Sequence, residues 1–168
     1  MLNSGRPFLA LTDLNEASSA NPVLGVLRSW DLGPVRKKVL EKCGWDPAYA
    51  IRVEAEYRKF MSLMLVGMKE ALGISRDVDE FWHHHILDTI AYFEFCGAIF
   101  GCYIHHRPRH EAGTPVAYRT TLRLLELGYS GRDDVIWPDA AAEPHADCAC
   151  QSGCDKIDAG PAQVAIAG

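Results

Sequence analysis

Three absences narrow what this chain can do. It has no apolar run long enough to cross a bilayer, which takes about 20 residues as a helix, so no membrane partner is expected. It has no excess of positive charge: 17 basic residues face 22 acidic ones for a net charge of −5. Binding a phosphate backbone needs a clustered positive surface, and the one basic knot, HHRPRH at 105–110, is short and half histidine. Nucleic acid is therefore not an expected partner, which leaves a small molecule or a peptide as substrate. The opening MLNSGRPFLALTDLNE also lacks the charged-then-apolar layout of a secretory signal. That predicts a cytoplasmic protein, whose six cysteines would be thiols or metal ligands rather than a disulfide framework.

Strict apolar-polar alternation and internal repeats are missing as well, while helix signals are dense. Asp46 and Pro47 suit the cap and first position of a helix that Gly73 ends. Within it Tyr49, Val53, Tyr57, Phe60, Met64, Met68 and Ala71 recur at steps of three and four, opposite Arg52, Glu56, Lys59 and Lys69. A shorter helix runs from Pro34 to Gly44 with Val35, Val39 and Leu40 as its apolar side, and PVLGVLRSW is a weaker candidate before it. A third strong helix starts near Asp77 or Asp79 and runs towards Gly101, with Trp82, Ile86, Ile90, Phe93, Gly97 and Phe100 as the stripe facing the core. Thr114 and Pro115 open a last helix that Gly128 closes. The fold class expected is all-α, a small helical bundle spanning 1–137. Residues 138–168, rich in Ala, Asp, Gly and Pro, are too poor in large apolar groups to offset ordering entropy, and read as a flexible cysteine-containing tail.

Residues 78–106 hold five of the seven histidines. Neighbours on a helix lie about 100° apart, so His83 and His85 diverge by about 200° and cannot face one point on a regular helix. His85 shares a side with Thr89, Tyr92 and Cys96, with Asp88 at its margin. His83 follows Asp79 by four residues, so that carboxylate can orient the imidazole from behind, as often happens with metal-bound histidine; His84 and Asp88 have the same spacing. His105 and His106 come just past the helix end, where Pro108 forces a turn that can fold one ring back. Imidazoles and a carboxylate suit iron, copper or zinc, although there is no HExxH, no paired ExxH and no CxxC in this region. The same histidines can also be structural groups, hydrogen-bonded within the bundle.

On these residues the chain resembles the glycine-rich domain-containing protein-like family, with its aspartate-led WHxHILDT, a tyrosine, a cysteine, FG and a histidine pair before proline. Here the positions are Asp79, Trp82, His83, His85, Ile86, Leu87, Asp88, Thr89, Tyr92, Cys96, Phe100, Gly101, His105, His106 and Pro108, with EYRKF at 56–60 also similar. The resemblance covers roughly residues 45–110. It adds weight to His83, His85, His105 and His106 and demotes His84, which sits in the variable slot; it implies no particular reaction. The 14 glycines are scattered, so functions tied to a glycine-rich tract do not transfer.

A second donor cluster lies in HADCACQSGC, where His145, Cys148, Cys150 and Cys154 offer soft ligands for zinc or cuprous copper, or a redox-labile disulfide. The expectation from sequence is a metal-binding helical protein, a transition-metal-dependent enzyme of oxidative or hydrolytic type. His83, His85, His105 and His106 are the candidate ligands, Asp79 stands behind them, and Asp88 and Tyr92 are the candidate catalytic residues. The alternative is a metal-binding and delivery module, or a protein-interaction module, without turnover.

Overall fold

The computed structural model describes residues 21–65, 72–106, 115–129, 131–139, 141, 149–150 and 154–156, the last two segments by their backbone. Among the described residues six helices carry the fold: α1 (Pro22–Ser29), α2 (Gly33–Cys43), α3 (Pro47–Leu65), α4 (Arg76–Ile86), α5 (Thr89–Ile99) and α6 (Pro115–Tyr129). Four strands of two or three residues accompany them: β1 (Leu72–Gly73), β2 (Cys102–Ile104), β3 (Ala149–Cys150) and β4 (Cys154–Lys156). They pair antiparallel as β1–β3 and β2–β4, and are too short for alternation to betray them in sequence. The protein is all-α in class, and no described helix is long and apolar enough to cross a membrane.

Local chemistry explains several helix ends. The Asn21 side chain accepts from the Val23 N–H at the start of α1, and Asp46 accepts from Ala48 and Tyr49 at the start of α3, which satisfies otherwise orphaned amide groups. Gly44 stops α2 at φ 67°, a left-handed conformation that suits glycine. The last carbonyls around α1 are met from α3: Arg58 donates to the oxygens of Leu27 and Trp30 while pairing with Glu54.

α3 is the central post, packed against α1, α2, α4 and α6. Its Val53, Tyr57, Phe60 and Met64 are buried as the periodicity predicts; Met68 and Ala71 lie outside the described residues. Glu56, expected on the solvent side, is buried instead, with Lys59 Nζ 2.7 Å from its Oε1. The core is aromatic: Trp82 and Trp137 both pack on Phe60, and Tyr118 packs on Trp137.

Two expectations fail. Gly73 is not a helix end, because Leu72 and Gly73 are strand; residues 66–71 lie outside the described residues. It lies in β1, pressed on α6, where a Cβ would sit 2.5 Å from the Tyr118 amide nitrogen and 2.6 Å from its Cα. Thr121 of α6 donates to the Gly73 carbonyl at 2.7 Å. Gly73→Ala should therefore destabilise the fold by about 1–3 kcal/mol, the usual cost of overpacking, because the obstructing atoms are helix backbone. Gly25→Ala, inside α1 with nothing within 4 Å of its Cβ, should instead stabilise by about 0.5–1 kcal/mol; urea unfolding of the two variants measures the contrast.

The second failure is the long helix from Asp77 or Asp79 to Gly101. It breaks at Leu87 and Asp88, where the Asp88 carboxylate caps α5 by accepting from the Ala91 N–H. The side facing the core is also a different one, the stripe through Val78, Trp82, His85, Tyr92, Cys96 and Ile99. Ile90 and Phe93, assigned to the core, are 74% and 49% exposed, and Tyr92, Phe95, Cys96 and Ile99 are buried in their place.

Candidate metal centre

α4 carries two carboxylate-imidazole pairs, each at i,i+4 spacing and offset by one residue: Asp79 with His83, and Glu80 with His84. That spacing stacks each pair on one side of the helix, and the offset turns the two pairs about 100° apart.

The first pair meets His106, which follows β2. His106 Nε2 lies 3.1 Å from His83 Nε2 and 3.2 Å from Asp79 Oδ1. Two atoms bound to one ion at about 2.1 Å, with angles between octahedral and tetrahedral, are about 3.0–3.4 Å apart, so both separations fit a shared cation. His83 Nδ1 is 2.9 Å from the Asp79 carbonyl oxygen; an Nδ1–H given to that oxygen leaves the Nε2 lone pair facing His106. The Trp82 ring, 4.5 Å from the His106 ring by centroids, backs the second imidazole, whose side chain is only 5% exposed.

Asp79 Oδ1 is buried and accepts no hydrogen bond. His106 Nε2 is within ion-pairing reach of it, but closeness without hydrogen-bond geometry leaves the oxygen unsatisfied. An orphaned buried carboxylate oxygen costs free energy unless a proton or a cation meets it. These residues therefore suit a metal: among the described residues they offer two nitrogens and one oxygen to a single ion.

The other sequence candidates lie elsewhere. His85 is 1% exposed, with Nδ1 2.8 Å from the Tyr57 hydroxyl and its ring edge-on to Tyr92 and Phe95. Burial pulls its pKa from 6.5 to about 4, against the weaker upward pull of Asp88. The roughly 200° divergence on α4 thus separates it from His83. His105 rests on the Tyr103 ring. Asp88, besides capping α5, accepts from Lys38 at 3.2 Å, and that contact first, then the Ala91 N–H, holds its pKa low. Tyr92 is a core link, accepting from Trp82 Nε1 at 3.0 Å and donating to the Ile104 carbonyl at 2.8 Å; burial drives its pKa far up.

Of the tail candidates, His145 and Cys148 lie outside the described residues, and Cys150 and Cys154 are placed by backbone alone in β3 and β4. Cys102 is disulfide-bonded, which corrects the expectation that every cysteine is a thiol or a metal ligand. Cys43 and Cys96 are free thiols.

A second donor group joins Cys43, Glu80 and His84. Sequence reading gave it no weight, because the variable slot demoted His84 and Cys43 is distant in the chain. The signal was there in the repeated i,i+4 pairing of an acid with a histidine, Asp79 and Glu80 leading His83 and His84.

No curated protein and no solved structure matches the chain. The model of the UCP032817-like family matches residues 29–140, a span that takes in α2 to α6 and the whole of the first donor cluster. This corrects the resemblance to the glycine-rich domain-containing protein-like family, whose glycine tract the chain also lacks. By that match, over more than half its length, the chain belongs to the UCP032817-like family.

Proposed function

We propose that the protein binds one transition-metal ion through Asp79, His83 and His106 and uses it as the centre of an oxidative or hydrolytic enzyme. The observation that carries this reading is the buried, unsatisfied Asp79 Oδ1 beside two imidazole nitrogens at ion-sharing distance. Two histidines and one carboxylate with open positions form the donor set that ferrous oxygenases employ, and zinc accepts the same atoms. Such an ion would supply activation of a bound water or of dioxygen. The chain supplies the rest: Trp82 fixes the His106 ring, and the Asp79 carbonyl fixes the His83 ring. The half-exposed His83 side chain opens the site towards solvent and a small-molecule or peptide substrate.

That openness also supports a second reading, a module that acquires and passes on an ion, since an ion reached from solvent can exchange. Metal analysis of tag-free protein tests both readings. The expected result is that the Asp79→Asn variant holds one equivalent of iron, copper or zinc fewer than wild type. A folded wild-type protein that takes up no metal at the Asp79 cluster when supplied with ferrous iron, copper or zinc would sink them together.

A further inference from the structure

A different chemistry sits on the neighbouring side of α4. Cys43 is the last residue of α2, and its Sγ lies 3.5 Å from His84 Nε2 and 3.7 Å from Glu80 Oε1. The same two atoms of His84 and Glu80 are 3.3 Å apart. Around a tetrahedral zinc, with bonds of about 2.3 Å to sulfur and about 2.1 Å to nitrogen and oxygen, the expected edges are about 3.6 Å for sulfur to nitrogen or oxygen and about 3.4 Å for nitrogen to oxygen. All three observed edges fall within about 0.1 Å of these values.

We infer that Cys43, Glu80 and His84 form a second cation site, selective for a thiophilic divalent ion of the zinc class, with a fourth position open to water. Two features separate it from the Asp79 site. It joins α2 to α4 instead of α4 to the segment after β2. Its sulfur ligand favours soft ions over the harder ones that a nitrogen and oxygen set accepts. Cys43 and His84 are half-buried and Glu80 is exposed, so an ion can reach the donors without the core opening. Binding exchanges the Cys43 thiol proton for the ion and releases that proton to solvent.

The competing account is a plain hydrogen-bonded cluster, in which the thiol donates to Glu80 or His84. Cobalt(II) titration of the full chain separates the two, because only a thiolate ligand gives a sulfur-to-cobalt charge-transfer absorption. The expected result is a band that is lost in both Cys43→Ser and His84→Ala and kept in His106→Ala. Requiring both Cys43 and His84 excludes the tail cysteines as its source, and survival in His106→Ala shows that it does not depend on the Asp79 site. Glu80→Gln, a change at an exposed side chain, should weaken cobalt binding at this site at least about 100-fold, more than the loss of a group that only orients a ligand. A band untouched by Cys43→Ser, or no band at saturating cobalt in folded wild-type protein, would overturn the second site and leave the first standing.

Discussion

Supplying ferrous or manganous ion to metal-free protein at 100 times its dissociation constant should raise unfolding stability by about 2.7 kcal/mol, the linkage expected when an ion binds the folded state alone. The His106→Ala variant should gain almost nothing under the same conditions. Losing a group that merely orients a ligand costs roughly 10–100-fold in affinity, so losing a ligand should cost at least about 100-fold. The same ion concentration then only equals the variant's dissociation constant, and the gain falls to about 0.4 kcal/mol. The comparison within each variant matters, because His106 also packs on Trp82 and its removal lowers the metal-free baseline as well. Iron or manganese suits the measurement since neither is the preferred ion of a thiolate site. Equal stabilisation of wild type and variant in chemical unfolding would show that the ion binds somewhere else.

How much of this could be read before folding depended on the range of the interaction involved. The α2 boundaries and the start of α3 and α6 were legible because Pro, Asp and Gly act within a turn of where they sit. The division of α4 from α5 was not. Asp88 lies within an apolar run, and only its capture of the Ala91 N–H and the Lys38 contact turn it from a helix residue into a cap. The core side was a separate misreading: Ile90 and Phe93 face outward, while Tyr92 and Cys96, on the same side as buried His85, face inward. Gly73 carries the opposite lesson: as a helix stop it was plausible, but the neighbour that requires it is Tyr118, 45 positions along the chain.

For the candidate site, α4's geometry placed Asp79 with His83 and set His85 apart, since both relations are local to one helix. Which histidine after β2 returns to α4 was beyond reach, as it depends on a bend and on the Trp82 ring that receives His106. The Cys43 group was hidden for the same reason, with 37 positions between Cys43 and Glu80. Spacing arguments find donors on one element, and packing decides which elements meet.

Acidification from pH 7 should destabilise the metal-free protein before most of its carboxylates are titrated, and His85 should be a main cause. In the unfolded chain this imidazole takes a proton near pH 6.5, whereas in the fold burial delays protonation to about pH 4. The unfolded state therefore binds more protons throughout that window, and stability must fall as pH falls through it. Above about pH 6.5 the effect is absent. It grows between about pH 6.5 and 4 to a limit of roughly 3 kcal/mol, at about 1.4 kcal/mol per unit of separation. The charges around His85 act unequally: Asp88 favours the proton, while Lys38 and Arg58 oppose it, and burial outweighs all three. Tyr57 shares the 2.8 Å contact without offering a compensating negative charge, because burial holds its phenol protonated. Urea unfolding in the presence of a chelator at pH 7.0 and pH 4.5, with wild type beside His85→Gln, isolates the contribution. The variant keeps a polar partner for Tyr57 and has nothing to titrate, so it should lose about 2–3 kcal/mol less than wild type over that interval. Parallel losses in the two proteins would mean that His85 is protonated as readily in the fold as out of it, which its seat among Tyr57, Tyr92 and Phe95 forbids.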